Sequence, residues 1–217
     1  MPERRRALLV GATGLVGSQL LGRLLDETTY STVTVWARRP LALRRPSLKV
    51  ETIDFERLAE RAVDAEHVFC CLGTTMKQAG SEQAFRRVDF DYPVALAHAA
   101  AKGGATRLLV VSALGANAAS RIFYNRVKGE MEAAVAAAGV PQTYFFRPSL
   151  LVGRREQLRL GERIGHAVGL VLGPLLGRYR PIDAGLVATA MLKAALGGRH
   201  PGVIESEQIR ALATQSS

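Results

Sequence analysis

Apolar runs of strand length and apolar positions at helical spacing take turns along this chain. Ala7–Val10 is an unbroken apolar run, the length of one buried strand. Leu15, Leu20, Leu21, Leu24 and Leu25 follow at helical intervals. Ser31–Ala37 is β-branched and predicts a strand, Lys49–Ile53 a short strand and Phe55–Ala62 a helix. His67–Leu72 predicts a buried strand ended by Gly73. Ser81–Ala101 reads as a long helix, kinked or broken at Pro93. Arg107–Ser112 predicts another central strand, and Arg121–Ala138 a helix stopped by Gly139 and Pro141. Gln142–Phe146 predicts a sixth strand.

Beyond Pro148 the alternation loosens. Leu158–Leu172 has helical character, and Asp183–Leu196 predicts a helix capped by Asp183 and ended by Gly197 and Gly198. Val203 and Ile204 predict a last short strand, followed by a turn or two of helix. Strand alternating with helix implies a parallel sheet covered on both faces. The expected fold is therefore α/β, a doubly wound parallel sheet of Rossmann type. It would be one domain over 1–217, with about 149–217 forming a small lobe over the sheet ends, on the substrate side.

Between the first apolar run and the first helix stand Gly11, Gly14 and Gly17. Strand, glycine turn and helix in that order form the phosphate-gripping corner of a dinucleotide-binding fold. Gly11 would allow the sharp turn out of the strand, Gly14 the approach of a pyrophosphate, and Gly17 close packing of the helix. The helix N-terminus would offer free N–H groups to the phosphates. The spacing is GxxGxxG rather than the commoner GxGxxG. MPERRR before an apolar run also resembles a secretory or twin-arginine signal. Thr13, Ser18 and Gln19 interrupt that run and no small-residue cleavage site follows, which favours the nucleotide corner.

Composition narrows the classes. With 48% hydrophobic and 22% charged residues among 217, the chain is that of an ordinary globular protein. No apolar run approaches the roughly 20 residues that cross a membrane. The nearest, Ile164–Gly177, contains His166, Pro174 and four glycines. The net charge of +10 rests on 24 Arg and 5 Lys. These are scattered in pairs and triplets, and aromatics are only 6%, so a solvated basic surface is expected rather than a nucleic-acid partner. Cys70 and Cys71 are neighbours on a predicted strand and point to opposite faces, so a bridge between them would be strained. They read as core residues in a reducing compartment, and no metal site is expected. Without a targeting signal, this implies a cytoplasmic location.

Candidate chemistry clusters at the ends of the predicted strands. An NAD-selective site places an acid after the second strand to hold the ribose 2′-hydroxyl. This chain has Arg38 and Arg39 there, two guanidinium groups suited to a 2′-phosphate, which predicts NADP(H). Leu72 and Gly73 follow the fourth strand, where a loop passes beneath a cofactor and glycine permits close approach. Ser112 ends the fifth strand. Tyr124 and Lys128 follow at i and i+4, on one face of a helix. An ammonium beside a phenol favours the phenolate and would bring the tyrosine toward working pH. Lys128 could also hold a nicotinamide ribose, and Ser112 the substrate carbonyl oxygen.

With these residues assembled, the chain resembles the atypical short-chain dehydrogenase/reductases, close to the Tat-interacting-protein (oxidoreductase) type. The resemblance runs from about Ala7 to Leu196. It is carried by Gly11-Ala12-Thr13-Gly14, Arg38-Arg39, Cys70–Thr75, the motifs RVDFDY (Arg87–Tyr92) and VKGE (Val127–Glu130), and Phe146-Arg147-Pro148. It implies an NADPH-binding fold with Thr13, Gly14 and Val16 against the phosphates and Arg38 and Arg39 at the 2′-phosphate. It further implies Leu72 and Gly73 along the nucleotide, Tyr124 as the proton-transferring residue with Lys128 beside it, and Leu151 and Arg159 closing over the cofactor. Ala113-Leu114 follows Ser112, so no second hydroxyl supports it.

The expected function is that of an NADP(H)-dependent oxidoreductase acting on a small carbonyl or alcohol substrate. An NADP(H)-binding, redox-sensing regulatory protein would need the glycines and arginines but not Tyr124. A nucleotide-sugar epimerase would carry a larger substrate domain.

Overall fold

The computed structural model of this chain describes residues 4–153, 179–197 and 199–215. Its strands are β1 (Arg5–Val10), β2 (Tyr30–Ala37), β3 (Leu48–Thr52), β4 (His67–Cys70), β5 (Arg107–Val111), β6 (Gln142–Arg147), β7 (Leu151–Val152), β8 (Ile182–Asp183) and β9 (Gly202–Glu205). Seven of them form one parallel sheet in the order β3-β2-β1-β4-β5-β6-β9, and β7 and β8 pair separately. The helices are α1 (Leu15–Asp26), α2 (Met76–Ala79), α3 (Glu82–Arg86), α4 (Tyr92–Lys102), α5 (Phe123–Ala137), α6 (Ala184–Leu196) and α7 (Ser206–Thr214).

The unbroken apolar run of β1 is explained by its place. It pairs with β2 on one side and β4 on the other. Ala7 and Leu9 enter a core layer with Leu20 and Leu24 of α1 and Val187 and Met191 of α6. Leu8 and Val10 enter the opposite layer, with Leu96 and Ala100 of α4 and Met131 and Val135 of α5. A strand buried on both faces has no polar side to show. Cys70 and Cys71 divide in the same way between the two layers, and both thiols are free.

The chain runs outward through β1, β2 and β3, then returns to lay β4 beside β1. The order reverses there, and the crevice outside the carboxyl ends of β1 and β4 is where doubly wound sheets take ligands. Gly11–Gly14 and Cys71–Thr75 leave the sheet at that crevice.

Two elements differ from expectation, and the break expected at Pro93 takes a particular form. Phe55–Glu60 is a 3-10 turn, capped by the Asp54 carboxylate accepting from Glu56 N–H at 3.0 Å. The long helix over 81–101 is divided into α3, a π turn (Arg87–Asp91) and α4. Pro93 has no N–H for the Asp89 carbonyl four residues back. Just before it the Tyr92 N–H reaches one residue further, to the Arg87 carbonyl. Finally, the described part of 149–217 is built into the main core rather than standing over the sheet ends. β9 extends the sheet beside β6, and alanine-rich α6 buries eight residues, among them Val187, Ala188 and Met191 of the α1 layer. The helix expected over Leu158–Leu172 and the run Ile164–Gly177 lie outside the described residues.

Candidate functional site

At the glycine corner, Gly11 has φ +89°, and a Cβ there would stand 2.5 Å from the Cys71 carbonyl oxygen. A Cβ at Gly17 would come within 2.1 Å of the Gly11 carbonyl oxygen. These two glycines let strand, turn and α1 close on one another and on the loop after β4. At Gly14 a Cβ would meet Gly11 O at 3.3 Å, a tight contact but not a clash. Its smallness is thus required less by the protein's own packing than that of the other two. Gly14 is the N-cap of α1, and no side chain caps the helix. The first-turn N–H groups are therefore left to an anion. Val16 is buried against the core, while Thr13 is exposed at the turn. These features fit a dinucleotide's phosphates.

Arg38 and Arg39 leave β2 exposed. Leu72 is half-buried and Gly73 exposed in the loop after β4. Gly73 adjoins the second cluster of interest: a Cβ there would lie 3.5 Å from Asp89 Oδ1 and 4.0 Å from Lys128 Nζ. Leu151 is half-buried in β7, which leads to Gly153, and Gly153 packs by Leu15 at the start of α1. Arg159 lies outside the described residues.

Tyr124 and Lys128 lie on α5, and Lys128 is buried. Lys128 Nζ is 2.7 Å from Asp89 Oδ1, with both side chains almost wholly enclosed. The contact is an ion pair rather than an aligned hydrogen bond. The other carboxylate oxygen, Oδ2, accepts the Thr74 N–H at 2.9 Å. Burial disfavours the ammonium, but Asp89 and Tyr124 outweigh it and raise the Lys128 pKa. Tyr124 stacks at a tilt on Phe85 of α3, ring centroids 5.4 Å apart. Burial raises its pKa above the ordinary value, Lys128 opposes that rise and Asp89 adds to it. Lys128 thus pushes the phenol in the expected direction, while burial, with the Asp89 carboxylate, holds it above its ordinary value.

Ser112 is buried and has a partner of its own. Its hydroxyl donates to Glu132 Oε1 at 2.5 Å, and Glu132 also accepts from Arg147 at 2.6 and 3.0 Å. Arg147 reaches Glu205 at 3.0 Å. The serine hydroxyl thus shares the Glu132 carboxylate with Arg147.

Three residues escaped sequence reasoning as individuals. Asp89 and Gly129 stand within the quoted motifs RVDFDY and VKGE. Glu132 stands one turn past Lys128. A Cβ at Gly129 would lie 2.1 Å from Ala118 N, so its absence lets the 113–120 loop lie directly on α5. The sequence signal available for Asp89 was an acid set between the apolar Val88 and Phe90.

A family model described as NAD(P)H-binding matches residues 11–151. Protein FMP52, mitochondrial, of Candida albicans is 32% identical over 200 residues, 88% of this chain and 87% of that protein. Protein HTATIP2 of Rattus norvegicus is 36% identical over 166 residues, 74% of this chain and 68% of that protein. Among solved structures, MoeE5 in complex with UDP-glucose and NAD superposes with TM-score 0.68 at 17% identity, covering 96% of this chain and 80% of its own. Human epimerase family protein SDR39U1 with NADPH gives 0.63 at 18%, covering 92% and 72%. These structural likenesses concern the fold. The FMP52 name overturns the cytoplasmic expectation, because relatives from several fungi carry the word mitochondrial. Arginine content and cysteine usage hold no address that could have shown this.

Proposed function

The chain belongs to the NAD(P)H-binding family of HTATIP2 and FMP52 relatives, and from that premise we propose an NADP(H)-dependent oxidoreductase of a small carbonyl or alcohol substrate. The observation that carries this reading is the meeting of Tyr124, Lys128 and Asp89 beside Gly73, in the loop that also closes on the glycine corner.

Gly14 and the open N–H groups of α1 would hold the pyrophosphate, with Thr13 and Val16 at the same turn. Arg38 and Arg39 would grip a 2′-phosphate through charge-assisted hydrogen bonds. Leu72, Gly73 and Leu151 would line the nucleotide. When bound, the nicotinamide supplies or takes up hydride. In the reducing direction Tyr124 Oη gives its proton to the carbonyl oxygen as the carbon–oxygen double bond becomes a single bond. Solvent later restores that proton. Lys128 holds positive charge beside the resulting phenolate and stabilises it. Ser112, bound to Glu132, supports β5 and α5 instead of touching substrate.

The test has two parts. NADPH should bind more tightly than NADH to the natural chain, and Arg38→Ala/Arg39→Ala should reduce NADPH affinity to the NADH level. Aldehydes and ketones are then screened with Tyr124→Phe as control. No binding of either nucleotide, or unchanged turnover in Tyr124→Phe, overturns the reading.

A further inference from the structure

Asp89 is completely buried, yet it lies in a π turn at the rim of the crevice rather than in the apolar core. A carboxylate without water needs partners. It has two: Lys128 Nζ at 2.7 Å and the Thr74 N–H at 2.9 Å. The wide hydrogen bond of this turn, from the Tyr92 N–H to the Arg87 carbonyl, lies just before Pro93, and the same turn holds Asp89 against Lys128 of α5. Lys128 is equally enclosed and shares its helix face with Tyr124.

We propose that Asp89 is a positioning residue whose carboxylate is the counter-charge that lets Lys128 remain an ammonium and Tyr124 remain a phenol side by side. With all three in place, the enclosed group carries no net charge while Tyr124 holds the proton it is to deliver. This rests on the proposed role of Tyr124 and adds to it the residue that sets the protonation of the site.

The other charges brought by the packed elements are engaged elsewhere or exposed: Glu132 accepts from Ser112 and Arg147, Arg126 donates to the Ser120 carbonyl, and Glu82 is exposed. Arg86 of α3 pairs with Glu130 of α5 at 2.5 Å, and Arg87 of the π turn lies 3.6 Å from Glu56. Asp91 is exposed. From β4, Cys70 faces Lys128 as a thiol that burial pushes up to about 11. Among the described residues, Lys128 and Asp89 are thus the two charges that act on Tyr124.

Asp89→Asn keeps the shape and an oxygen for Thr74 N–H but removes the charge. An enclosed ammonium beside a phenol must then shed a proton more readily, from one group or the other, because coupled sites titrate as a unit. The measurement is an alkaline titration of the whole protein without substrate or cofactor. Phenolate absorbance, with Tyr124→Phe subtracted, reads Tyr124. Nitrogen NMR of the lysine Nζ, assigned with Lys128→Met, reads Lys128. The first of the two ionisations should fall by roughly one unit or more in Asp89→Asn. Asp89→Glu should move it back toward the natural value. Both ionisations unchanged would overturn the proposal. Should Asp89→Asn fail to fold, Lys128→Met supplies the converse: Tyr124 should ionise at higher pH with Asp89 acting alone, and an unmoved Tyr124 would overturn the proposal. A shifted titration with undiminished turnover in Tyr124→Phe would sink the oxidoreductase mechanism while leaving the role of Asp89 intact.

Discussion

Two buried charges stand one helical turn apart on α5, and their surroundings differ. Glu132 is saturated: it accepts from Ser112 and doubly from Arg147, which continues to Glu205. Lys128 pairs with a single carboxylate among the described residues, though an ammonium has three protons to give. Glu132 ties α5 to the carboxyl ends of β5, β6 and β9. Lys128 lies beside exposed Gly73, with capacity left over. A fully hydrogen-bonded buried network rigidifies the structure around it, whereas donors left over beside a loop remain available to other partners.

The sharpest way to separate the two centres is Tyr124→Phe. It removes only the proton-donating hydroxyl beside Lys128, so turnover should fall by roughly 10²- to 10⁴-fold. Thermal unfolding should stay close to the natural chain, since Tyr124 packs on Phe85 through its ring. Glu132→Ala should do the reverse. It strips Arg147 and Ser112 of their shared acceptor and should cost about 3 kcal/mol of stability, read by denaturant titration. NADPH affinity of the fraction that remains folded should change little.

Gly129→Ala lies between the two and should damage both. Its methyl meets the backbone at Asn117 and Ala118, which cannot yield without lifting the loop from α5. A loss near the top of the ~1–3 kcal/mol range of overpacking is expected, together with weaker NADPH binding. Ser112→Ala should be the mildest. Losing one hydrogen bond costs about 1 kcal/mol, and turnover should hold within about threefold. A 100-fold loss of turnover would return Ser112 to the substrate.

The pH dependence sharpens the same contrast. In the proposed mechanism Tyr124 gives a proton, and its pKa is raised, so reduction should stay level from neutral pH past the ordinary tyrosine range near ~10 before it declines. A decline that began near neutrality would mean that Lys128 prevails over burial and Asp89.

The glycine corner was legible because its demands are local. Gly11 and Gly17 are six residues apart, and the clash each avoids involves the turn itself or the neighbouring loop. Strand alternation was equally legible, since a strand covered on both faces must be apolar throughout. The π turn was not: helical propensity runs through 81–101, and which carbonyl takes the Tyr92 N–H depends on how Pro93 is accommodated. Nor was the integration of α6, because an alanine-rich helix suits either a lobe or a core, and its packing on α1 decides which.

The chain by itself determined the order of strands and helices, the turn at Gly11, the arginine pair after β2 and the one-face spacing of Tyr124 with Lys128. All of these follow from side-chain period and backbone sterics over a few residues. Only the tertiary structure decided the pairing of Lys128 with Asp89 and of Ser112 with Glu132. Asp89 and Lys128 are 39 residues apart, and Ser112 and Glu132 are 20 apart. The energy of a charge depends on what stands a few ångströms away once water has been excluded, and folding alone selects those neighbours.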